Sequence, residues 1–280
     1  MPVKTILAYL NSSTHAHQVL AAVVAVARRS DAHIIGLHVV PQVTIPAIVP
    51  FEVTGEILEV QRKALDEEAD KVAAEFKKVM GGLSLPNEWR CVKAAHYDVA
   101  QIVDAHARTA DLIVAGQSDS EGNIYQPTDV TEDIMMEAGR PVLVVPRKGV
   151  VEKIGERVAI AWNNSREAAR AVFDALPVMT PSADVRVLSV DPFKGKKSDP
   201  DLPSSEIATA LARHGLKAEA AVAISMGGDI AGEIIARAGD MRADLLVMGG
   251  YGHSRLRELV FGGATRDILD RMTIPVLLSH

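Results

Sequence analysis

The sequence predicts an α/β protein written twice, each half a parallel sheet covered by helices on both faces. Three observations carry that prediction. Four segments recur in the same order along the 280 residues. Within each half, short Val/Ile/Leu-rich runs alternate with alanine-rich stretches of helical spacing, as in a buried parallel sheet. Finally, Gly249-Gly250-Tyr251-Gly252 and Gly262-Gly263-Ala264-Thr265 stand between the apolar run Leu245-Leu246-Val247-Met248 and an amphipathic stretch ending at Met272.

The elements follow in order. Ile6-Leu7-Ala8-Tyr9-Leu10-Asn11-Ser12-Ser13 opens the first half, and Val158-Ala159-Ile160-Ala161-Trp162-Asn163-Asn164-Ser165 opens the second. Helices are predicted over His17–Arg28 and Arg166–Leu176, where apolar positions fall three and four apart. The second strands run from Ala32 to Pro41 and from Ala183 to Pro192. A long charged helix over Glu52–Met80 has a shortened counterpart at Ser204–His214. Stretches Asp98–Arg108 and Asp229–Ala238 each begin with an acid suited to a helix N-terminus. Then Ala110-Asp111-Leu112-Ile113-Val114-Ala115-Gly116 matches Ala243-Asp244-Leu245-Leu246-Val247-Met248-Gly249, and Pro141-Val142-Leu143-Val144-Val145 matches Pro275-Val276-Leu277-Leu278-Ser279. The offset is 152 residues for Asn11 and Asn163, 151 for Pro41 and Pro192, 133 for Gly116 and Gly249, and 134 for Pro141 and Pro275. The second copy thus lacks roughly twenty residues between its second and third strands, and the order and spacing identify a tandem duplication. The expected domains are 1–148 and 156–280, with the boundary between Lys148 and Glu156.

Composition narrows the function classes. With 48% apolar residues the chain can bury a large core. A net charge of −6 argues against nucleic acid or an anionic membrane as partner. The cluster Lys194, Lys196 and Lys197 reads as a solvated loop. No apolar run approaches the ~20 residues of a membrane span, and the N-terminal residues lack the pattern of a signal peptide. The single cysteine, Cys91, excludes an internal disulfide and is expected to be a buried or inert thiol in a reducing compartment. These readings predict a cytoplasmic protein.

Glycines between a strand and a helix start can turn backbone N–H groups toward an anion, normally a phosphate. In open α/β sheets, ligands bind beyond the carboxyl ends of the strands, where strand order reverses. The loops after Trp162, Val190 and Met248 would meet there. The same glycines would also serve a tight connection that lets helix and sheet pack closely, so two readings stand.

At these residues the chain resembles the universal stress protein family in its two-domain tandem form, once per half. Nucleotide-binding members carry a strand-end glycine, two residues, a glycine, nine residues, then a glycine followed by serine or threonine. Here Gly249, Gly252 and Gly262 keep that spacing. The resemblance implies two tandem Rossmann-like, doubly wound, five-stranded parallel sheets packed as a pseudo-dimer through the Pro-Val-Leu strands, with a homodimer as a further form of assembly. It also implies ATP as the ligand, with no metal assigned.

Carried over residue by residue, the family's first-strand acid falls on Asn163, near the adenosine, and its adenine-lining valine on Val190. Met248 ends the strand ahead of the loop. Phosphate-facing positions fall on Gly249, Gly252, Gly262, Gly263, Ala264 and Thr265. Gly263 replaces the family's serine or threonine, and the missing hydrogen bond to a charged group is worth roughly 1.5–3 kcal/mol. Asn163 keeps an acceptor oxygen and adds an NH₂ donor. In the first half Gly116 is followed by Gln117-Ser118-Asp119-Ser120-Glu121, and Gly262 and Gly263 correspond to Thr128 and Asp129. A carboxylate where phosphate should sit predicts one ATP site per chain, in the second half.

Other motifs carry less. His15 and His17 lack nearby carboxylate or cysteine ligands. Arg255, Arg257 and Arg266 lie near the loop in sequence. Met135, Met136 and Met272 read as core or interface fillers. No Gly-x-Ser-x-Gly elbow and no P-loop lysine is present. The expected function is therefore an adenine-nucleotide sensor read by a protein partner. A scaffold that binds no nucleotide and a slow ATPase are the alternatives.

Overall fold

The computed structural model describes residues 2–42, 51–94, 98–118, 130–149, 151, 153–191, 204–250 and 263–280. The first half contains β1 (Thr5–Tyr9), α1 (Ser13–Ser30), β2 (His33–Val40), α2 (Phe51–Gly81), β3 (Asn87–Lys93), α3 (Val99–Ala107), β4 (Leu112–Gly116), α4 (Val130–Glu137) and β5 (Val142–Val145). The second contains β6 (Arg157–Ala161), α5 (Arg166–Ala175), β7 (Asp184–Val190), α6 (Ser205–Arg213), β8 (Lys217–Ala223), α7 (Ile230–Asp240), β9 (Leu245–Gly249), α8 (Ala264–Arg271) and β10 (Val276–Ser279). The expected helices are all present, with ends shifted by a few residues, as capping geometry allows.

Each half is a five-stranded parallel sheet, in the orders β3-β2-β1-β4-β5 and β8-β7-β6-β9-β10. The two meet along the Pro-Val-Leu strands. Antiparallel pairing of β5 with β10, Val276 opposite Val144 and Leu278 opposite Val142, makes one continuous ten-stranded sheet.

Strand periodicity sorts the apolar side chains onto two faces. Ile6 and Ala8 of β1 pack with α1, α2, α5 and α6, whereas Leu7 and Tyr9 pack with the opposite layer of α3, α4, α7 and α8. Both cores run across the two halves, which is why the central strands β1, β4, β5, β9 and β10 read as almost unbroken apolar runs, whereas the edge strands β3 and β8 carry charged residues.

The repeated Ala-Asp-Leu motif has a concrete task. Asp111 accepts the backbone N–H groups of Lys4 and Thr5, at 2.8 and 3.0 Å. Its counterpart Asp244 accepts those of Gly155, Glu156 and Arg157, at 2.6, 3.0 and 3.0 Å. Each carboxylate thereby anchors the start of its half's first strand. Contacts between halves add to the β5–β10 seam. Arg29 of α1 donates to the carbonyls of Ile154 and Val178, both at 2.8 Å. Arg170 of α5 donates to the Gly139 carbonyl across the halves at 2.8 Å, and to that of His280 in its own half at 2.7 Å. Cys91 departs from the expected burial: it is exposed on β3, an edge strand. Desolvation nevertheless pushes its thiol up, away from the reactive thiolate. Among the described residues, no helix is long and apolar enough to cross a membrane.

Candidate functional site

In the second half, strand order reverses between β6 and β9, and a cavity of about 320 Å³ opens at their carboxyl ends. Six of the residues singled out from the sequence line it: Asn163, Val190, Met248, Gly249, Ala264 and Thr265. Gly263 is the N-cap of α8, directly before Ala264 in the wall. Gly252 and Gly262 lie outside the described residues, as do Arg255 and Arg257. Arg266 is exposed on α8.

The turn after β6 is built by its polar residues. Asn164 adopts a left-handed φ of 57°, a conformation asparagine tolerates better than most residues. Beside it, the Asn163 Oδ1 accepts the Ser165 N–H at 3.1 Å, and the Ser165 hydroxyl oxygen accepts the Ala168 N–H at 3.1 Å, capping α5. One lone pair of Asn163 is therefore spent on the turn, and its NH₂ and second lone pair remain for chemistry. Ser189 of β7 donates to the Trp162 carbonyl at 3.2 Å. The first half uses His38 in the same place, its Nδ1 2.7 Å from the Leu10 carbonyl oxygen. Burial holds the His38 imidazole below its ordinary pKa.

The opposite wall comes from α7. Asp191, just past β7, accepts the Ser225 N–H at 2.9 Å and the Ser225 hydroxyl. This fixes the loop after β8, which turns through Gly227 and Gly228 at φ values of 65° and 87°. That turn delivers Asp229, whose side chain caps α7 by accepting the Gly232 N–H at 2.7 Å. Both Asp229 oxygens also lie 3.0 Å from Arg271 Nη1 of α8. The Gly232 N–H, then Arg271, hold the Asp229 carboxyl below its ordinary pKa. The next residue, Ile230, enters the cavity with Ile234 one turn on.

Trp162 lines the cavity at the edge where its loop is expected, whereas Ile230, Ile234, Ala161 and Leu188 are lining residues that the sequence does not single out. For Ala161, Trp162 and Leu188 the usable signal was position at or beside a strand's carboxyl end. Ile230 and Ile234 required knowing which face of α7 turns inward. The five make the cavity more apolar than the glycine loop alone suggested. Leu188, Val190, Ile230 and Ile234 make one part of the lining apolar, and Ala264 and Thr265 bring the start of α8 into the wall.

That start is open. Gly263 gives α8 no side-chain cap, with φ −82° and ψ 131°, whereas Asp98, Ser165 and Asp229 cap α3, α5 and α7. The first N–H groups of a helix have no intrahelical partner, and the helix dipole adds partial positive charge there. Gly249 has a different reason for being glycine. A Cβ there would lie 2.5 Å from the Ala168 backbone nitrogen and 2.6 Å from the Glu167 carbonyl carbon. Its geometry is set by the close approach of β9 to α5.

The first half repeats the frame with other contents. Thr131, the counterpart of Thr265, donates its hydroxyl to the Gly116 carbonyl at 3.2 Å. Gln117 stands where the second half has Gly250, and it is buried. Asp119, Thr128 and Asp129, on which the one-site prediction rests, lie outside the described residues. His17 Nδ1 lies 3.2 Å from Glu75 Oε1, an exposed pair. Among the described residues no cluster of three or more His, Cys, Asp or Glu side chains could hold a metal ion.

Comparison with known proteins agrees with this architecture. The sequence model of the universal stress protein family matches residues 2–146 and 156–280. The crystal structure of a universal stress protein from Archaeoglobus fulgidus superposes with a TM-score of 0.74 at 15% identity, covering 99% of this chain and 96% of that one. A functionally unknown protein from Pseudomonas aeruginosa gives 0.55 at 14% identity, covering 99% and 92%. A universal stress protein of Synechocystis is 53% identical over 38 residues, a match spanning 14% of this chain and only 13% of that protein's length. With the family's sequence pattern in both halves and its fold across the whole length, the chain belongs to the universal stress protein family.

Proposed function

We propose that the second half, 156–280, binds one adenine nucleotide, with ATP as the leading ligand, and that the chain is a cytoplasmic sensor of that nucleotide. One observation carries the reading: an apolar slot of Leu188, Val190, Ile230 and Ile234 shares a cavity with the uncapped, glycine-led start of α8. A ring in the slot and phosphates on the helix N-terminus would use both ends of that arrangement. At about 320 Å³ the cavity is nucleoside-sized. Asn163 offers an NH₂ donor to a ribose or base at its edge. None of the described lining residues is Asp, Glu, His, Lys or Arg, so the reading is occupancy that favours one conformation, which a protein partner then recognises. The first half, 1–148, takes no nucleotide in this reading.

Calorimetric titration of the purified chain with ATP, ADP, AMP and adenosine tests it. The expected result is one ATP per chain, lost when Ile234→Trp fills the slot. No binding at millimolar ATP by a chain freed of co-purified nucleotide would overturn it and leave the scaffold reading. Two ATP per chain would overturn the one-site assignment.

A further inference from the structure

The position after the strand-end glycine differs in kind between the two halves. In the second half it is Gly250, and a Cβ there would lie 2.7 Å from Met135 Sδ of α4. In the first half it is Gln117, 6% exposed, whose side chain crosses to α8. Its Nε2 donates to the carbonyls of Leu269 and Asp270, at 2.6 and 3.2 Å, and its Oε1 accepts the Arg147 N–H at 3.0 Å. Leu269 and Met135 are themselves counterparts, 134 residues apart. The two contacts are therefore pseudo-symmetric mates in which only the first half supplies a polar arm.

That arm reaches a place where it matters. The last four carbonyls of an α-helix have no intrahelical partner, and Gln117 satisfies two of them in α8. α8 is only eight residues long, so its N-terminus at the cavity and the end gripped by Gln117 are about two turns apart. Arg271 ties the same end to Asp229, one residue before Ile230 in the cavity wall. A short helix with both carbonyl-end tethers in place presents its first N–H groups in one position.

We propose that Gln117 is a positioning residue for the site in the other half: it holds α8 from beneath so that the helix start meets an anionic ligand. The first half is then a working part of the second half's site. This rests on the nucleotide reading for its ligand test, and α8 itself gives a test that does not.

The experiment uses the full-length chain and two near-isosteric variants, Gln117→Glu and Gln117→Met, with Gln117→Asn as the substitute should either fail to fold. Hydrogen exchange, measured without ligand, is expected to quicken at α8 amides while β9 and β10 keep wild-type protection. Calorimetry is expected to show ATP affinity lower by about tenfold, the order of one hydrogen bond to a polarised group, with adenosine affinity within twofold of wild type. Equal losses for ATP and adenosine would mean a general structural role and overturn the proposal. Unchanged α8 exchange would overturn it too, whatever the ligand. Wild type that binds neither ligand would remove the nucleotide reading while the exchange result still decided the role of Gln117 in holding α8.

Discussion

Gly249 lies so close to α5 that a Cβ would stand 2.5 Å from the backbone nitrogen of Ala168. Its counterpart Gly116 has far more room, the nearest atoms being Val19 Cγ2 at 3.6 Å and Asn11 Oδ1 at 3.7 Å. Neither contact partner of Gly249 is the mobile end of a side chain, so relief needs movement of β9 or of the first turn of α5. Gly249→Ala is therefore expected to cost about 1–3 kcal/mol, the usual range for overpacking. Gly116→Ala should be close to neutral. Urea unfolding of both variants, compared at constant m, checks the asymmetry. Equal effects would show that the strand-end glycines do not differ in packing.

The strand-start latches give a second asymmetry. Asp244 collects three backbone N–H groups and Asp111 two. Hydrogen bonds to charged groups are worth about 1.5–3 kcal/mol, and a deleted acceptor also leaves donors to find water. Asp244→Ala should lose more stability than Asp111→Ala, with both losses above 1 kcal/mol on that scale. Equilibrium unfolding measures the order directly, and a larger loss at Asp111 would refute it.

These two positions also show what could be read in advance. The Ala-Asp-Leu repeat located both aspartates and both strand-end glycines, because duplication preserves spacing wherever the backbone is constrained. The family resemblance placed the predicted residues that line the cavity, among them Asn163 and Val190 at strand ends that converge on one edge. The repeat was silent where the copies differ in partner. Gln117 looked like a damaged glycine loop, because its acceptors, Leu269 and Asp270, lie more than 150 positions away. The inward face of α7 is a tertiary choice that no local pattern encodes, whereas the meeting of the halves along the Pro-Val-Leu strands follows from the family resemblance. Cys91 sits on an edge strand, and edge position follows from strand order rather than from the residues around it.

Asp104 makes stability depend on pH in the less usual direction. It is 2% exposed between α3 and α4, and its Oδ1 has no hydrogen-bond partner. Burial, then the Glu137 charge, push its carboxyl up to about 7, with Asp133 and Asp98 adding to the rise and Arg108 opposing it. A native pKa above the unfolded value means that the native state binds the proton more tightly. Its stabilising effect is complete below the unfolded pKa near 4 and is lost as pH rises through about 7. Asp104→Asn removes the ionised state, so it should raise stability at pH 8 by about 1–3 kcal/mol, the order of an unsatisfied buried polar group. The gain should fade toward pH 5. Unfolding midpoints for both chains across pH 5–8 give the comparison, and a pH-independent difference would rule out the carboxyl as its source.

Gly263 separates helix capping from anion binding in one position. Its φ of −82° and ψ of 131° are open to any L-residue, so substitution carries no backbone strain. Serine and aspartate are both better N-caps than glycine by a few tenths of a kcal/mol, so either should leave α8 as stable as before or slightly more so. Their effects on a phosphate should be opposite. Gly263→Ser supplies a hydroxyl at the start of α8 and is expected to tighten ATP binding, up to about tenfold for one added charge-assisted hydrogen bond. Gly263→Asp places a carboxylate on the same groups, satisfying them internally and repelling the ligand. ATP affinity should then fall by more than about tenfold, the scale of two like charges at close range in a partly screened site. Adenosine carries no phosphate, and its affinity should stay within twofold in both variants. If ATP and adenosine respond alike, the N-terminus of α8 is not the phosphate-facing wall. If serine and aspartate shift ATP in the same direction, capping alone accounts for the change.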